Sequence, residues 1–307
     1  MLSQNLMLWL SVLGWGVCAA GLAAYAAAMA REITYVTLAD GRKQERSIPI
    51  LFRMLLPFVP NLSGVVSRPM FDNARKQADE MLVSAGFEGL LNGTEFVSLK
   101  MLMPIVGGIF WTLFILLLGA MLPDSLFTDA RGMLIAGGIV MLYFQPIMWL
   151  RSALKQRHLS IMRALPFVLD LLTLSVEAGM DFMSAMQRNC EKRKLDPLNE
   201  ELIRMTREIQ VGTPRRVALR NMADRVKQPD LKSVAYALIQ ADELGVSIGT
   251  ILRIQSEQLR GRRFDRAEKL ANEAPVKMLG PLMLCIFPAV FVILLGPIIL
   301  QNTGLLS

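Results

Sequence analysis

Histidine and cysteine are scarce in this chain. Its 307 residues include one histidine, His158, and three cysteines, Cys18, Cys190 and Cys285. The cysteines form no CxxC pair and no other spacing of zinc ligands, so neither a metal site nor a disulfide framework is expected. No nucleophile motif accompanies His158, and we expect it to be a solvated residue near the start of a helix.

The motifs of common enzyme classes are also missing. The sequence contains no GxxxxGK[ST] phosphate loop, no GxGxxG after a strand, no HExxH, no GxSxG and no protein-kinase set. We therefore expect no catalytic residue, no cofactor and no enzyme activity. Any energy-consuming process in which the chain takes part must draw its energy from a partner.

Charge is absent from four long apolar runs. No Asp, Glu, Lys or Arg occurs in residues 1–30, 101–123, 132–150 or 278–307. Each run has about 19 residues or more, enough for a helix to cross a hydrocarbon core of about 30 Å. We therefore predict an all-α integral membrane protein with four transmembrane helices and an antiparallel helical bundle. The net charge of +7 borders these runs, so we expect contact with membrane lipid and no nucleic acid.

The predicted domain order follows the apolar runs. It comprises transmembrane helix 1 at 1–30, a small helical segment at 31–100, transmembrane helices 2 and 3 at 101–123 and 131–150, a six-helix bundle at 151–278, and transmembrane helix 4 at 279–300. The first run ends in small residues like a signal peptide, but it is too long and lacks a basic start, which favours a retained span. In the last run, Pro281, Pro288 and Pro297 each remove a backbone donor, which predicts kinks.

The distribution of basic residues predicts the orientation. Of the 33 lysines and arginines, nine lie in 31–100 and 23 in 151–277, whereas the loop between the second and third runs has only Arg131. Basic segments stay on the cytoplasmic side of a membrane. We therefore predict a multi-pass membrane protein with its bulk in the cytoplasm and both termini on the outer side of the membrane.

A repeat organises the predicted bundle. Gly179, Gly212 and Gly245 are spaced by 33 residues, and each follows a glutamate closely and precedes an apolar pair by six positions. Such glycines end helices, and the next helices are expected to begin at Asp181, at Thr213 followed by Pro214, and at Ser247. The pattern predicts helices near 165–178, 181–194, 198–211, 214–227, 230–244 and 248–272. A compact bundle is favoured over a helical solenoid, because ankyrin and tetratricopeptide signatures are absent.

Two further segments leave alternatives open. The basic run that includes Arg260, Arg262 and Arg263 fits attraction to anionic lipid, docking of an acidic partner, or a solvated helix face. In 31–100, residues 68–85 fit an amphipathic helix ended by Gly86. Residues 36–47 fit either a short hairpin or a loop.

Several stretches together resemble a known family. Residues 165–179, 212–219 and 241–245 resemble the type II secretion system F domain, and the ending at 274–281, 287–291 and 296–297 is similar to its TadC branch. TadC-type proteins are inner-membrane platform components of the tight-adherence (Flp, type IVb) pilus machine, so the resemblance implies a bacterial inner membrane with both termini in the periplasm. The resemblance implies bundle-shaping or partner-contact roles for Glu177, Gly179, Gly212, Thr213, Pro214, Glu243 and Gly245.

The resemblance also implies a non-enzymatic scaffold and its partners. These are a hexameric secretion ATPase (TadA-like), a second platform protein (TadB-like) and pilin, in a homo- or hetero-oligomer. The alternative is a membrane transporter or channel subunit, for which Thr112, Tyr143 and Gln145 are the polar candidates within spans. A membrane-bound enzyme is least favoured, because the motifs are missing.

Overall fold

The described part of the chain is almost wholly helical. The computed structural model describes residues 35–37, 43–45, 48–121 and 131–302, so the predicted helix at 1–30 and its signal-peptide alternative lie outside it. Two short strands are the exception, β1 (Tyr35–Thr37) and β2 (Lys43–Glu45). They pair antiparallel, with Val36 opposite Gln44. The hairpin alternative for this segment is confirmed.

Ten α-helices and two 3₁₀ turns follow within the described residues. Their bounds are α1 Ile50–Leu55, a turn at Leu56–Phe58, α2 Val59–Val66, a turn at Pro69–Phe71, α3 Asp72–Ala85, α4 Gly93–Met121, α5 Arg131–Glu177, α6 Phe182–Lys192, α7 Pro197–Gln210, α8 Arg215–Val226, α9 Pro229–Leu244 and α10 Ile248–Asn302. The predicted helix that ends before Gly86 is confirmed, although it begins at Asp72, after a 3₁₀ turn.

Two of these helices are longer than predicted. The separate helices expected at 131–150 and 165–178 form one 47-residue helix, α5, and those expected at 248–272 and 279–300 form one 55-residue helix, α10. Prolines lie near both junctions, Pro166 and Pro275, but neither ends its helix, and residues 273–278 contain no glycine. The prediction of separate helices was wrong at both places.

Three helices are long and apolar enough to cross a membrane. The candidate spans among the described residues are Gly93–Leu117, Arg131–Glu177 and Ile248–Leu295. They correspond to the predicted spans 2, 3 and 4, so the count of four stays a prediction. Pro281, Pro288 and Pro297 lie within α10, which runs through all three. The kink there also stays a prediction.

One hydrophobic core joins α5 to α10. Every one of these six helices contributes side chains that are almost fully buried: Leu172, Met186, Leu198, Leu219, Leu231 and Leu252. We call α6 to α9, the second half of α5 and the first third of α10 the bundle. A single shared core is the mark of a compact bundle, since a solenoid repeat packs only against its neighbours.

Polar caps begin the helices of the bundle. Asp181 accepts hydrogen bonds from the backbone N–H groups of Met183 and Ser184, as predicted for an N-cap. Asp196 and Gln228 cap α7 and α9, each directly before a proline. The predicted cap at Thr213 is wrong: α8 begins at Arg215, so Pro214 is the N-cap residue, and no side chain caps it.

Residues 48–103 pack as a second, smaller core, which we call the N-terminal cluster. It is built from α1 to α3 and the start of α4, and it closes over the end of the apolar run in α5. Trp149 of α5 stands there between two rings, with centroids 5.0 Å from Phe52 and 5.0 Å from Phe87. Residues 31–100 are therefore packed in part against a span rather than forming an independent segment.

The apolar runs of α5 and α10 begin at the same level. The two helices are antiparallel, because Arg253 pairs with Glu177, Arg260 pairs with Asp170 and Arg266 contacts Met162. Leu150 lies twelve residues before Met162 and Met278 twelve residues after Arg266, which is about 18 Å along each axis. The two runs can therefore enter one membrane plane together.

Candidate functional site

The three turn glycines lie at one end of the bundle. The glycines join three helical hairpins, α5–α6, α7–α8 and α9–α10, which we call the first, second and third hairpin. In each one, the N–H group of the residue after the glycine donates to a carbonyl five residues earlier: Met180 to Ser175, Thr213 to Glu208 and Val246 to Ala241, at 3.0–3.1 Å. The glycine φ angles are positive, +105° at Gly212, which only glycine adopts without strain. The 33-residue repeat is thus a repeat of structure.

This end of the bundle, which we call the distal face, is the part farthest from the apolar runs. Glu177 is 27 residues beyond Leu150, so it lies about 40 Å from the apolar run along α5. All seven bundle-shaping candidates lie there: Glu177, Gly179, Gly212, Thr213, Pro214, Glu243 and Gly245. The fold therefore brings together residues that are up to 68 positions apart in the sequence.

Ion pairs tie the three hairpins together at the distal face. Arg215 lies 5.4 Å from the ring of Phe182 in the first hairpin and 3.5 Å from a carboxylate oxygen of Asp242 in the third. Arg216 pairs with Asp242 at 3.6 Å and with Glu243 at 3.8 Å. These side chains are at least partly exposed, so such pairs stabilise the fold only weakly and remain accessible to a partner.

Exposed apolar residues occupy the same face. The residue before each turn glycine is apolar and exposed: Ala178, Val211 and Leu244. Val211 is 83% exposed and Leu244 is 78% exposed. Sequence reasoning missed these residues, although their spacing of 33 matches that of the glycines. Exposed apolar side chains surrounded by charge are typical of a protein-binding surface.

The basic run of α10 binds the chain's own acidic residues. Arg260 contacts Asp170 at 2.7 Å, and Arg262 and Arg266 bind the two oxygens of Asp230 at 2.8 and 3.0 Å. Arg263 donates to the carbonyl oxygen of Arg163 at 2.5 Å. Four guanidinium groups of this segment thus hold α10 on the bundle, although their side chains remain exposed. Their role as partner contacts stays a prediction.

Asp230 is the best-buried acid in this set, with 4% of its surface exposed. Burial opposes its ionisation, but hydrogen bonds from Arg266, Arg262 and Gln228 outweigh burial and lower the pKa of Asp230 below its usual value. Similarly, burial is outweighed at Asp170, where Ser256 and Arg260 lower the pKa of the carboxyl. Both acids are therefore charged anchors for α10 at neutral pH.

A buried ionic network joins α5, α7 and α8. Arg157 donates to Glu200 at 3.0 Å and to Glu201 at 2.9 Å, and all three side chains are at most 7% exposed. Arg225 extends the network to Glu201 at 2.8 Å and to Glu208 at 3.0 Å. Sequence reasoning missed this network. The available signal was Arg157 in register with the buried Ile161 and Leu165.

The N-terminal cluster docks on the bundle through polar contacts. Lys227 binds Glu80 at 2.6 Å, and Arg204 binds Glu88 through both of its carboxylate oxygens. The buried hydroxyl of Ser84 donates to the carbonyl oxygen of Arg225 at 2.9 Å. The N-terminal cluster therefore contacts the backbone of Arg225, whose side chain belongs to the buried network.

The remaining singled-out residues have local roles. His158 is half-buried in the middle of α5, with Nε2 2.8 Å from the carbonyl oxygen of Val226, so the solvated position near a helix start was wrong. Thr112 bonds the carbonyl of Ile109 in its own helix, and the ammonium of Lys100 lies 4.7 Å from the ring of Tyr143.

Comparison with known proteins gives one match. No curated protein and no solved structure matches the chain. Residues 168–296 match the sequence model of the family described as type II secretion system (T2SS), protein F. The matched part begins in the second half of α5 and ends in α10, so it covers most of the bundle and the last candidate span. Residues 168–296 are therefore similar to the protein F domain, whose family consists of membrane platform proteins, and the match suggests a membrane platform protein of a secretion or pilus system.

Proposed function

We propose that the chain is an inner-membrane platform protein, of the TadC type, for the assembly of Flp (type IVb) pili. In this role it couples a cytosolic secretion ATPase to the extraction of pilin from the membrane. It works with a second, TadB-like platform protein. The bundle lies in the cytoplasm and the chain termini in the periplasm.

The observation that carries the proposal is the continuity of α5 and α10. Each runs without a break from the core of the bundle through an apolar run of membrane-spanning length. Asp170 and Asp230 also fix α10 to the bundle at 2.7–3.0 Å. A force applied to the bundle is therefore passed directly to two candidate spans, which is what a platform between a motor and a membrane process requires.

Cations at the ends of the apolar runs support the orientation. Lys100, Arg151 and Lys277 each stand immediately outside an apolar run, on the side that faces the N-terminal cluster and the bundle. Lysine and arginine in these positions favour the cytoplasmic side. The same side carries the distal face, about 40 Å from the membrane and within reach of a soluble hexamer.

The distal face is the proposed docking surface for the ATPase. Its three turns bring Val211 and Leu244 out of the bundle beside the charged side chains of Arg216 and Glu243. An arginine at each apolar position keeps the helix but places a charge where a partner must exclude water. We therefore expect Val211→Arg/Leu244→Arg to abolish docking without unfolding the bundle.

The experiment compares two variants in the native host. Val211→Arg/Leu244→Arg is expected to insert in the membrane, to lose co-purification with the secretion ATPase and to lose surface pili. Met70→Arg is the control, because Met70 is 88% exposed but lies on the N-terminal cluster. Normal piliation after deletion of residues 165–270 would refute the platform role altogether. If Met70→Arg also lost ATPase co-purification and surface pili, the distal face would be refuted as the docking surface.

A further inference from the structure

The first helices of the N-terminal cluster lie at the level where two apolar runs end. The ring of Phe52 in α1 is 5.0 Å from that of Trp149, which stands one residue inside the apolar run of α5. Along α4, Met103 is completely buried in the core of the cluster, whereas Ile105 is 56% exposed. The cluster therefore covers α4 only to about 3 Å beyond Met101, where its apolar run begins.

The segment that packs at this level is almost free of charge. We call residues 50–66, which comprise α1, the first 3₁₀ turn and α2, the surface segment. Between Arg53 and Arg68 no Asp, Glu, Lys or Arg occurs. The helical path of residues 54–66 is about 20 Å long, too short to cross a hydrocarbon core of about 30 Å. An apolar helix of this length belongs either in a protein core or in a membrane interface.

Only part of the apolar surface of the segment is buried in the cluster. The buried side consists of Phe52, Leu55, Leu56, Val59 and Val66, each at most 9% exposed. A second apolar series occupies positions 51, 54, 58, 62 and 65, which are three or four residues apart and so share a different side of the helical path. Within this series Phe58 is 48% exposed. The apolar arc therefore extends beyond the buried side at least as far as Phe58.

A third side of the surface segment is polar or small. Arg53, Pro57, Pro60 and Gly64 follow one another at the same spacing of three or four residues, and Pro60 and Gly64 are exposed. A helix with a wide apolar arc, a polar side and cations at its ends is typical of one that lies in the plane of a membrane surface. Its depth, level with the ends of the apolar runs, favours lipid over a soluble protein as the cover of Phe58.

We propose that the surface segment lies along the bilayer surface, in the leaflet that the bundle faces. Phe58 inserts among the upper carbons of the lipid chains, and the side with Pro60 and Gly64 faces water. The proposal rests on the candidate spans and not on the pilus role. Because the N-terminal cluster also docks on α8 of the bundle, a segment anchored in this way sets the height of the bundle above the membrane.

The test places a nitroxide spin label at single cysteines of the full chain, in vesicles of phosphatidylcholine with phosphatidylglycerol. Cys18 and Cys285 are replaced by alanine, and Cys190 is kept because it is buried in the bundle core. Molecular oxygen concentrates in the hydrocarbon region and a hydrophilic nickel complex stays in water. The ratio of their collision rates with the label therefore reports whether lipid or water surrounds it.

Gly64→Cys is the matched control for Phe58→Cys, because it lies on the same segment and a side chain there meets open space. Ile109→Cys is the reference for lipid, since Ile109 is 67% exposed and lies about 12 Å beyond the start of its apolar run. We expect the ratio of oxygen to nickel collisions at position 58 to lie above that at 64 and below that at 109.

Two results would overturn the proposal. Equal ratios at positions 58 and 64 would mean that the segment has no side that faces lipid. Low collision rates with both reagents at position 58 would mean that protein covers this side, either another segment of the chain or a partner.

Discussion

Replacing Arg157 by methionine tests whether the buried network holds the bundle together. Methionine keeps most of the length of the arginine stem, so the packing of α5 changes little. The variant does remove the guanidinium that lies 3.0 Å from Glu200 and 2.9 Å from Glu201. Glu201 keeps Arg225 at 2.8 Å, but two carboxylates remain in a site that excludes water.

The expected loss follows from the burial of these groups. Breaking a buried ion pair by removing one partner costs about 3–5 kcal/mol. At 1.36 kcal/mol for each factor of ten, the open population of the bundle should rise roughly 150-fold to 5,000-fold. Arg204→Met is the control, since its pair with Glu88 is 40–46% exposed. There we expect about 0–1 kcal/mol, or at most roughly a fivefold rise.

Cys190 reports the opening of the bundle. Its side chain belongs to the bundle core, and burial raises the pKa of its thiol to about 11, so the folded protein should react slowly with iodoacetamide at pH 8. With Cys18 and Cys285 replaced by alanine, the alkylation rate of the full chain in detergent follows the open population. If Arg157→Met is alkylated no faster than Arg204→Met, the network does not stabilise the bundle.

Three other predictions follow from single positions. Gly212→Ala should destabilise the bundle by about 1 kcal/mol, because its φ of +105° strains any side chain, whereas Gly261→Ala within α10 should stabilise it slightly; Cys190 alkylation measures both. Gly138→Ala should lower the thermal midpoint in detergent, because a Cβ there would overlap a neighbouring indole, whereas Gly137→Ala meets open space and should not. The lowered pKa of Asp230 means that its ion pairs stabilise the fold above about pH 3.9, the ordinary value, and are lost as pH falls through the folded value. Asp230→Asn should therefore remove part of the acid sensitivity of unfolding between pH 5 and 2.

Local signals in the sequence predicted much of the bundle. The glycines at 179, 212 and 245 end helices because a positive φ and the following capping bonds are properties of a few adjacent residues. Three of the four uncharged runs lie in candidate spans of the described residues, because length and lack of charge are also local properties of the sequence. The cap at Thr213 was misplaced because a threonine before a proline is an equally good signal one residue away from the true start.

Tertiary contacts could not be predicted in this way. Arg157 meets Glu200 and Glu201 only after α5 and α7 pack side by side, and Arg262 meets Asp230 across two helices. A single sequence gives the charges but not their partners. The sequence alone therefore left the basic run of α10 compatible with lipid, a protein partner or solvent. The fold shows that Asp170 and Asp230 of the bundle lie beside it.

The long helix α5 can be regarded as a lever. About 40 Å of it extends from Leu150 to Glu177, and about 27 Å crosses the apolar run from Gly132 to Leu150. If it pivots where Trp149 is wedged between two aromatic rings, a sideways push at the tip moves the opposite membrane surface by about 0.7 of that distance, in the reverse direction. Such a lever delivers a shorter stroke at greater force at its membrane end.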